Sequence, residues 1–140
     1  MKKVHFYTVD RTPALKERKR LQIFIERLFT NEGKALDNLA YIFCSDEYLL
    51  DINRKFLKHD FYTDVITFDL SSPKSATQAE VYLSIDRIKD NAIKMGTSFK
   101  EELHRVIFHG ALHLCGYKDK KKNDALIMRK KEDECLKGYF

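Results

Sequence analysis

Proline and glycine are scarce in this 140-residue chain, at two and five residues, which leaves little material for a flexible linker or a low-complexity segment. No internal repeat is visible. No apolar run approaches the length of a membrane span, and the opening Met1-Lys2-Lys3-Val4-His5-Phe6 lacks the apolar stretch of a secretory signal. The three cysteines, Cys44, Cys115 and Cys135, show no CxxC spacing, so a disulfide framework is not expected and a reducing, cytoplasmic setting is. Apolar material, by contrast, is plentiful. A hydrophobic fraction of 44% with ten phenylalanines argues against disorder and suits one domain over residues 1–140 with a substantial core.

Charge is unevenly placed. Between residues 118 and 131 stand Lys118, Lys120, Lys121, Lys122, Arg129, Lys130 and Lys131 against only Asp119 and Asp124, an excess equal to the whole net charge of +5. A lysine run can be a solvated helix face; it can also hold a polyanion such as RNA.

Hydrophobic periodicity yields the elements. Strands are predicted over 4–9, 39–44, 65–70 and 81–85, from alternation and β-branched or aromatic content. Helices are predicted from Pro13 to about residue 29, from an N-cap at Ser45 or Asp46 to about 56, and over 86–95, 99–115 and 123–136. Residues 58–62 and the polar stretch 71–78 are expected as connections. Strands alternate with helices early and the last third is helical, so the expected fold is α+β with one small mixed sheet of about four strands.

The stretch from Val106 to Tyr117 carries no formal charge and contains His109 and His113, four residues apart. At about 100° per residue these two imidazoles share one helix face, on an arc otherwise occupied only by Glu102 and Arg105. They can grip one metal ion, and Asp119, past the glycine stop at Gly116, can close the site from a third direction. Three ligands with an open position are the arrangement of catalytic zinc. The alternative is that each histidine hydrogen-bonds a carbonyl or carboxylate instead. Gly110, costly inside a helix, marks a close approach. Cys115 projects away from His113 and is expected to pack; His104 and His5 are expected as non-ligands. Gly110 also stands where HExxH peptidases carry their glutamate base, so the peptidase reading lacks its base.

His109-Gly110-x-Leu112-His113-Leu114-x-Gly116-Tyr117 closely resembles the signature of the YbeY family of bacterial endoribonucleases. Asn53 followed by Thr63-Asp64-Val65-Ile66-Thr67-Phe68, then Glu80-Val81-Tyr82-Leu83-Ser84 and Glu102-Leu103, resemble further family segments in order. The resemblance implies a zincin-like α+β domain and a zinc-dependent endoribonuclease acting on single-stranded RNA. It also implies work on ribosomal RNA and the small ribosomal subunit, in 3′-end maturation and ribosome quality control. Carried over by position, the ligands of one zinc ion are His109, His113 and Asp119. The chain departs from the family pattern at three places. Lys118-Asp119 replaces Asp-His, so the third ligand is a carboxylate, which zinc accepts. Leu57 stands where many members carry an arginine, with Arg54 and Lys55 nearby, and Ala79 replaces a glycine.

The expected chemistry is attack on a phosphodiester by water on the metal or by the neighbouring ribose hydroxyl; the residues name no general base. Arg54, Lys118, Lys120, Lys121 and Lys122 are candidate contacts to the RNA backbone. Tyr117 is either a stacking or a packing residue, Glu132 either a brace for a ligand or a plain salt bridge. His59-Asp60 is either near the active site or an exposed turn. A non-catalytic zinc-containing RNA-binding module, or another metal hydrolase, remains the alternative function.

Overall fold

In the computed structural model, which describes residues 2–140, the four strands β1 (Val4–Thr8), β2 (Leu36–Cys44), β3 (Val65–Asp69) and β4 (Thr77–Ser84) form one sheet in the order β1-β2-β4-β3. β1, β2 and β4 run parallel, and β3 is the antiparallel edge. The helices are α1 (Arg18–Asn31), α2 (Asp46–Phe56), α3 (Ile85–Met95), α4 (Phe99–Leu114) and α5 (Lys122–Tyr139). This is the α+β architecture with a small mixed sheet that the hydrophobic pattern indicates.

Strand alternation puts Leu39, Tyr41 and Phe43 of β2 beside Ala79, Val81 and Leu83 of β4, all buried on one face. That face carries the main core, closed by Leu21, Ile25 and Phe29 of α1, by α3, and by nearly the whole of α4. The other face is covered by α2 alone, through Leu49 and Ile52 against Cys44 and Ile66. Helix α4 is held to the sheet at two points. The buried Tyr41 hydroxyl donates to the Ile107 carbonyl at 2.9 Å. At Val81, the β4 residue paired with Tyr41, a Cβ on Gly110 would meet Cγ1 at 2.9 Å, so glycine is the residue that lets helix and strand approach this closely. The close approach expected at Gly110 is thus realised.

Caps follow the sequence at α2, α3 and α4, where the Ser45, Ser84 and Ser98 hydroxyls accept the N–H of Tyr48, Arg87 and Glu101. Four boundaries differ from expectation by three residues or more, the first being β2, which begins at Leu36 and not at 39. Helix α1 begins at Arg18 and not at Pro13, because Ala14 and Glu17 take left-handed backbone at φ +52° and +54°, which cannot propagate a right-handed helix. Strand β4 begins at Thr77 and not at 81. The polar residues Thr77 and Gln78 are recruited by the ladder to β2, with the Thr77 N–H donating to the Ala35 carbonyl at 2.8 Å. Helix α5 runs on to Tyr139, whose ring is buried against Phe24 and Phe108.

Candidate active site

Glu102, Arg105, His109 and His113 lie on one stripe of α4, and all four line a single cleft of about 570 Å³. The facing wall comes from Asn53 and the α2–β3 connection (His59, Phe61, Thr63, Asp64) and from β3; Asn91 and Met95 of α3 lie at one end. Asp119 and Lys120, from the turn after α4, and Arg129 and Glu132, from α5, complete it. The helical stripe read from the sequence is therefore the floor of the cleft. It exists because α4 packs its apolar sides on the sheet and on α5 and leaves this arc uncovered.

Each histidine is oriented by its Nδ1. His109 Nδ1 donates to Glu132 Oε2 at 2.7 Å, and His113 Nδ1 donates to the Tyr117 carbonyl at 3.1 Å. The carbonyl is in place because Gly116 turns the chain with φ +109°. Both Nε2 atoms are left as the nitrogens that could take a metal ion. His109 Nε2 stands 3.2 Å from Asp119 Oδ2. Two donors at about 2.0–2.2 Å from one tetrahedral ion lie about 3.3–3.6 Å apart, so this pair is close to the separation of two ligands of one ion. Among the described residues no three His, Cys, Asp or Glu side chains are set as a finished metal cage. The donor chemistry of His109, His113 and Asp119, two oriented imidazoles and a carboxylate, nonetheless fits zinc.

Glu132 both bonds His109 and forms a salt bridge. One carboxylate oxygen takes His109 Nδ1; the other accepts from Arg105 at 3.2 Å, and Arg105 also donates to Asp133 at 2.7 Å. Burial works to lower the His109 pKa, but the hydrogen bond and charge of Glu132, with Asp119 and Asp64, outweigh it and raise the pKa above the ordinary histidine range. Burial pushes the Asp64 and Glu102 carboxyls up; for Glu102 the charge of Asp64 adds to this. Glu102 Oε1 has no hydrogen-bond partner among the described residues.

Of the cations proposed as substrate contacts, Lys120 lines the cleft; Arg54, Lys118, Lys121 and Lys122 do not. Arg54 is tied to Asp60 at 2.5 Å on the surface. Leu57, in place of the family arginine, lies on the cleft wall. Arg105 and Arg129 are further cations of the cleft: Arg105 shares the histidine arc, whereas Arg129 is placed by the docking of α5. Asp64 and Phe61, from the α2–β3 connection, have no local signal that marks them for the site. Tyr117 is a packing residue, with its hydroxyl donating to Glu32 at 2.8 Å and Lys131 Nζ 5.6 Å from its ring centre. Cys115 packs against the core, and His104 is buried with its Nδ1 donating to the Lys100 carbonyl. His5 is on β1, whereas His59 does reach the cleft. Ala79 is buried in β4 in register with Leu39, so the strand tolerates it in place of glycine.

Comparison with known proteins agrees with this geometry. The family profile described as Endoribonuclease YbeY matches residues 8–139. The Endoribonuclease YbeY of Cytophaga hutchinsonii is 46% identical over 133 residues, covering 95% of this chain and 93% of the relative. That of Porphyromonas gingivalis is 41% identical over 136 residues, covering 97% and 89%. The solution structure of the Thermotoga maritima protein TM1509 superposes with a TM-score of 0.63 at 26% identity, over 96% of this chain and 89% of that one. With the histidine signature on a helix floor and these matches along nearly its whole length, the chain belongs to the YbeY endoribonuclease family.

Proposed function

We propose that this chain is a zinc-dependent endoribonuclease that cuts single-stranded RNA, with ribosomal RNA of the small subunit as its substrate and ribosome maturation and quality control as its setting. The observation that carries the metal is the charge of the cleft. Its lining holds four carboxyl groups (Asp64, Glu102, Asp119, Glu132) against three cations (Arg105, Lys120, Arg129), and Arg105 is already engaged by Glu132 and Asp133. A cleft of that balance has no excess of cations of its own, so a bound metal ion would strengthen its hold on a phosphodiester. His109, His113 and Asp119 would hold it.

When bound, such an ion supplies Lewis acidity to a phosphoryl oxygen and lowers the pKa of water. The protein supplies the rest. Glu132 and the Tyr117 carbonyl fix the tautomers, so that each Nε2 lone pair is presented without rearrangement. Lys120 and Arg129 attract the RNA backbone to the cleft. The buried network Arg105–Glu132–His109 ties the site to α5, so its geometry is set by helix packing and not by a loop.

The test compares zinc content and cleavage of single-stranded ribosomal RNA between wild type and His113→Ala. Loss of both is expected. A variant that loses zinc and cleaves at the wild-type rate would overturn this active site; wild type that binds RNA tightly without cutting it would identify a binding module.

A further inference from the structure

The α2–β3 connection presents an aromatic pair that neither the core nor the metal site uses. The rings of His59 and Phe61 stack at 5.1 Å between centroids with 22° between planes. Both side chains are exposed and both line the cleft that contains His109, His113 and Asp119. Phe61 is 55% exposed and belongs to neither hydrophobic cluster. A single exposed aromatic residue is ordinary; a stacked pair on the wall of a catalytic cleft is a platform.

The platform is held in place. Asn53, buried at the end of α2, donates from Nδ2 to the Phe61 carbonyl at 2.9 Å, and its own carbonyl accepts the N–H of both Leu57 and His59 at 3.1 Å. Between these anchors Lys58 takes left-handed backbone at φ +55°, which turns the chain so that residues 59 and 61 fall on one side. Arg54 bonds Asp60 behind the pair. On the far side Tyr62 donates to Glu47 at 3.0 Å, and the Arg87 guanidinium lies 4.9 Å from its ring centre. A loop tied at this many points presents its rings with little ordering left to do on binding.

We propose that an unpaired nucleobase of the RNA continues the His59–Phe61 stack beside the scissile phosphate, and that this contact makes the cleft select single strands. The inference rests on the endoribonuclease reading above. Every base has a π-face, so stacking recognises RNA with little regard to sequence. In a duplex both faces are already covered by neighbouring base pairs, and the platform has nothing to receive. Tyr117, the other aromatic residue near the metal ligands, is already engaged by Glu32 and Lys131 and cannot serve.

The experiment uses the whole chain and a single-stranded oligoribonucleotide carrying 2-aminopurine, whose fluorescence is quenched on stacking, with an abasic series in parallel. Wild type should quench the probe and lose affinity when the stacked base is removed. Phe61→Ala should abolish the quench, weaken binding and raise KM about ten- to a hundredfold, and respond no further to the abasic site. Phe61→Tyr should restore all three, and His59→Ala should show a smaller loss. Quench and affinity unchanged in Phe61→Ala overturn the platform and leave the nuclease reading standing. Wild type that quenches but never cuts supports the platform and overturns the nuclease. Absence of binding by wild type overturns both.

Discussion

Substituting Gly110 by alanine isolates the contact that sets the metal helix on the sheet. In a free helix the change is favourable by about 1 kcal/mol, because glycine loses more backbone entropy on folding. Here the added Cβ falls 2.9 Å from Val81 Cγ1, 3.4 Å from Cγ2 and 3.7 Å from Cβ. Carbon atoms prefer about 3.5–4.0 Å, so the nearest contact is too short by more than half an ångström. Val81 is fully buried on β4, and being β-branched it exchanges one methyl for another when it turns. Helix or strand must therefore move, at a cost of about 1–3 kcal/mol for overpacking. With about 2 kcal/mol taken for a buried contact this short, the unfavourable contribution wins, and Gly110→Ala is expected to be less stable by about 1 kcal/mol, a fall in Tm of about 3–4 °C at this chain length. Urea denaturation at constant m-value measures it. The double variant Gly110→Ala/Val81→Ala should recover at least about 1 kcal/mol relative to the sum of the single changes, since the second removes the obstacle met by the first. Because His109 and His113 flank residue 110 on the same helix, Gly110→Ala should also lower cleavage by more than its unfolded fraction explains. A variant as stable as wild type, or strictly additive effects in the double variant, would refute the close packing on which this reasoning depends.

Glu132→Ala leaves Arg105 buried with only Asp133 and frees His109 Nδ1. A loss of about 3 kcal/mol is expected from the broken buried pair, together with a ten- to hundredfold drop in zinc affinity. Isothermal titration separates the two, and an unchanged zinc affinity would deny the bracing role. Burial, with the Lys100 and Arg20 charges, lowers the His104 pKa against the upward pull of its bond to the Lys100 carbonyl. Unfolded chain then takes a proton near pH 6.5 that the native state refuses, so stability is full above that pH and declines as pH falls through it. Removing the imidazole in His104→Gln should flatten that decline between pH 7.5 and 5.5; an equal decline in both proteins argues against it. Lys120→Ala should reduce the slope of log affinity for single-stranded RNA against log salt by about 0.7, whereas Arg54→Ala, whose guanidinium is occupied by Asp60, should change it less. Equal slopes for Lys120→Ala and wild type would remove that lysine from the interface.

Local chemistry made much of this protein legible in advance. The i, i+4 histidines, the uncharged run around them and the stop at Gly116 are consequences of helix geometry, and helix geometry needs no partner to be computed. The cap at Ser45 carries meaning for the same reason, since it answers a constraint within a few residues of itself; Gly110 signals a close approach, but its partner Val81 is supplied by a distant strand. Where expectation and structure part, a distant element is responsible. Thr77 and Gln78 are strand because β2 offers them a ladder, not because of their own propensity. Lys118, Lys121 and Lys122 adjoin His113 and Asp119 along the chain yet do not line the cleft, since charge near in sequence is not charge near in space.

Chain order alone thus determined which residues share the histidine stripe of α4, because residues on one helix face are related by a fixed rotation. Which groups oppose that stripe was left to packing. Arg129 and Glu132 arrive only when α5 docks, and Asp64, His59 and Phe61 only when the α2–β3 connection folds over the cleft. These partners lie 20 to 50 residues from His109, and no periodicity relates them; the burial of apolar faces brings them together, and polar groups carried on the same elements follow.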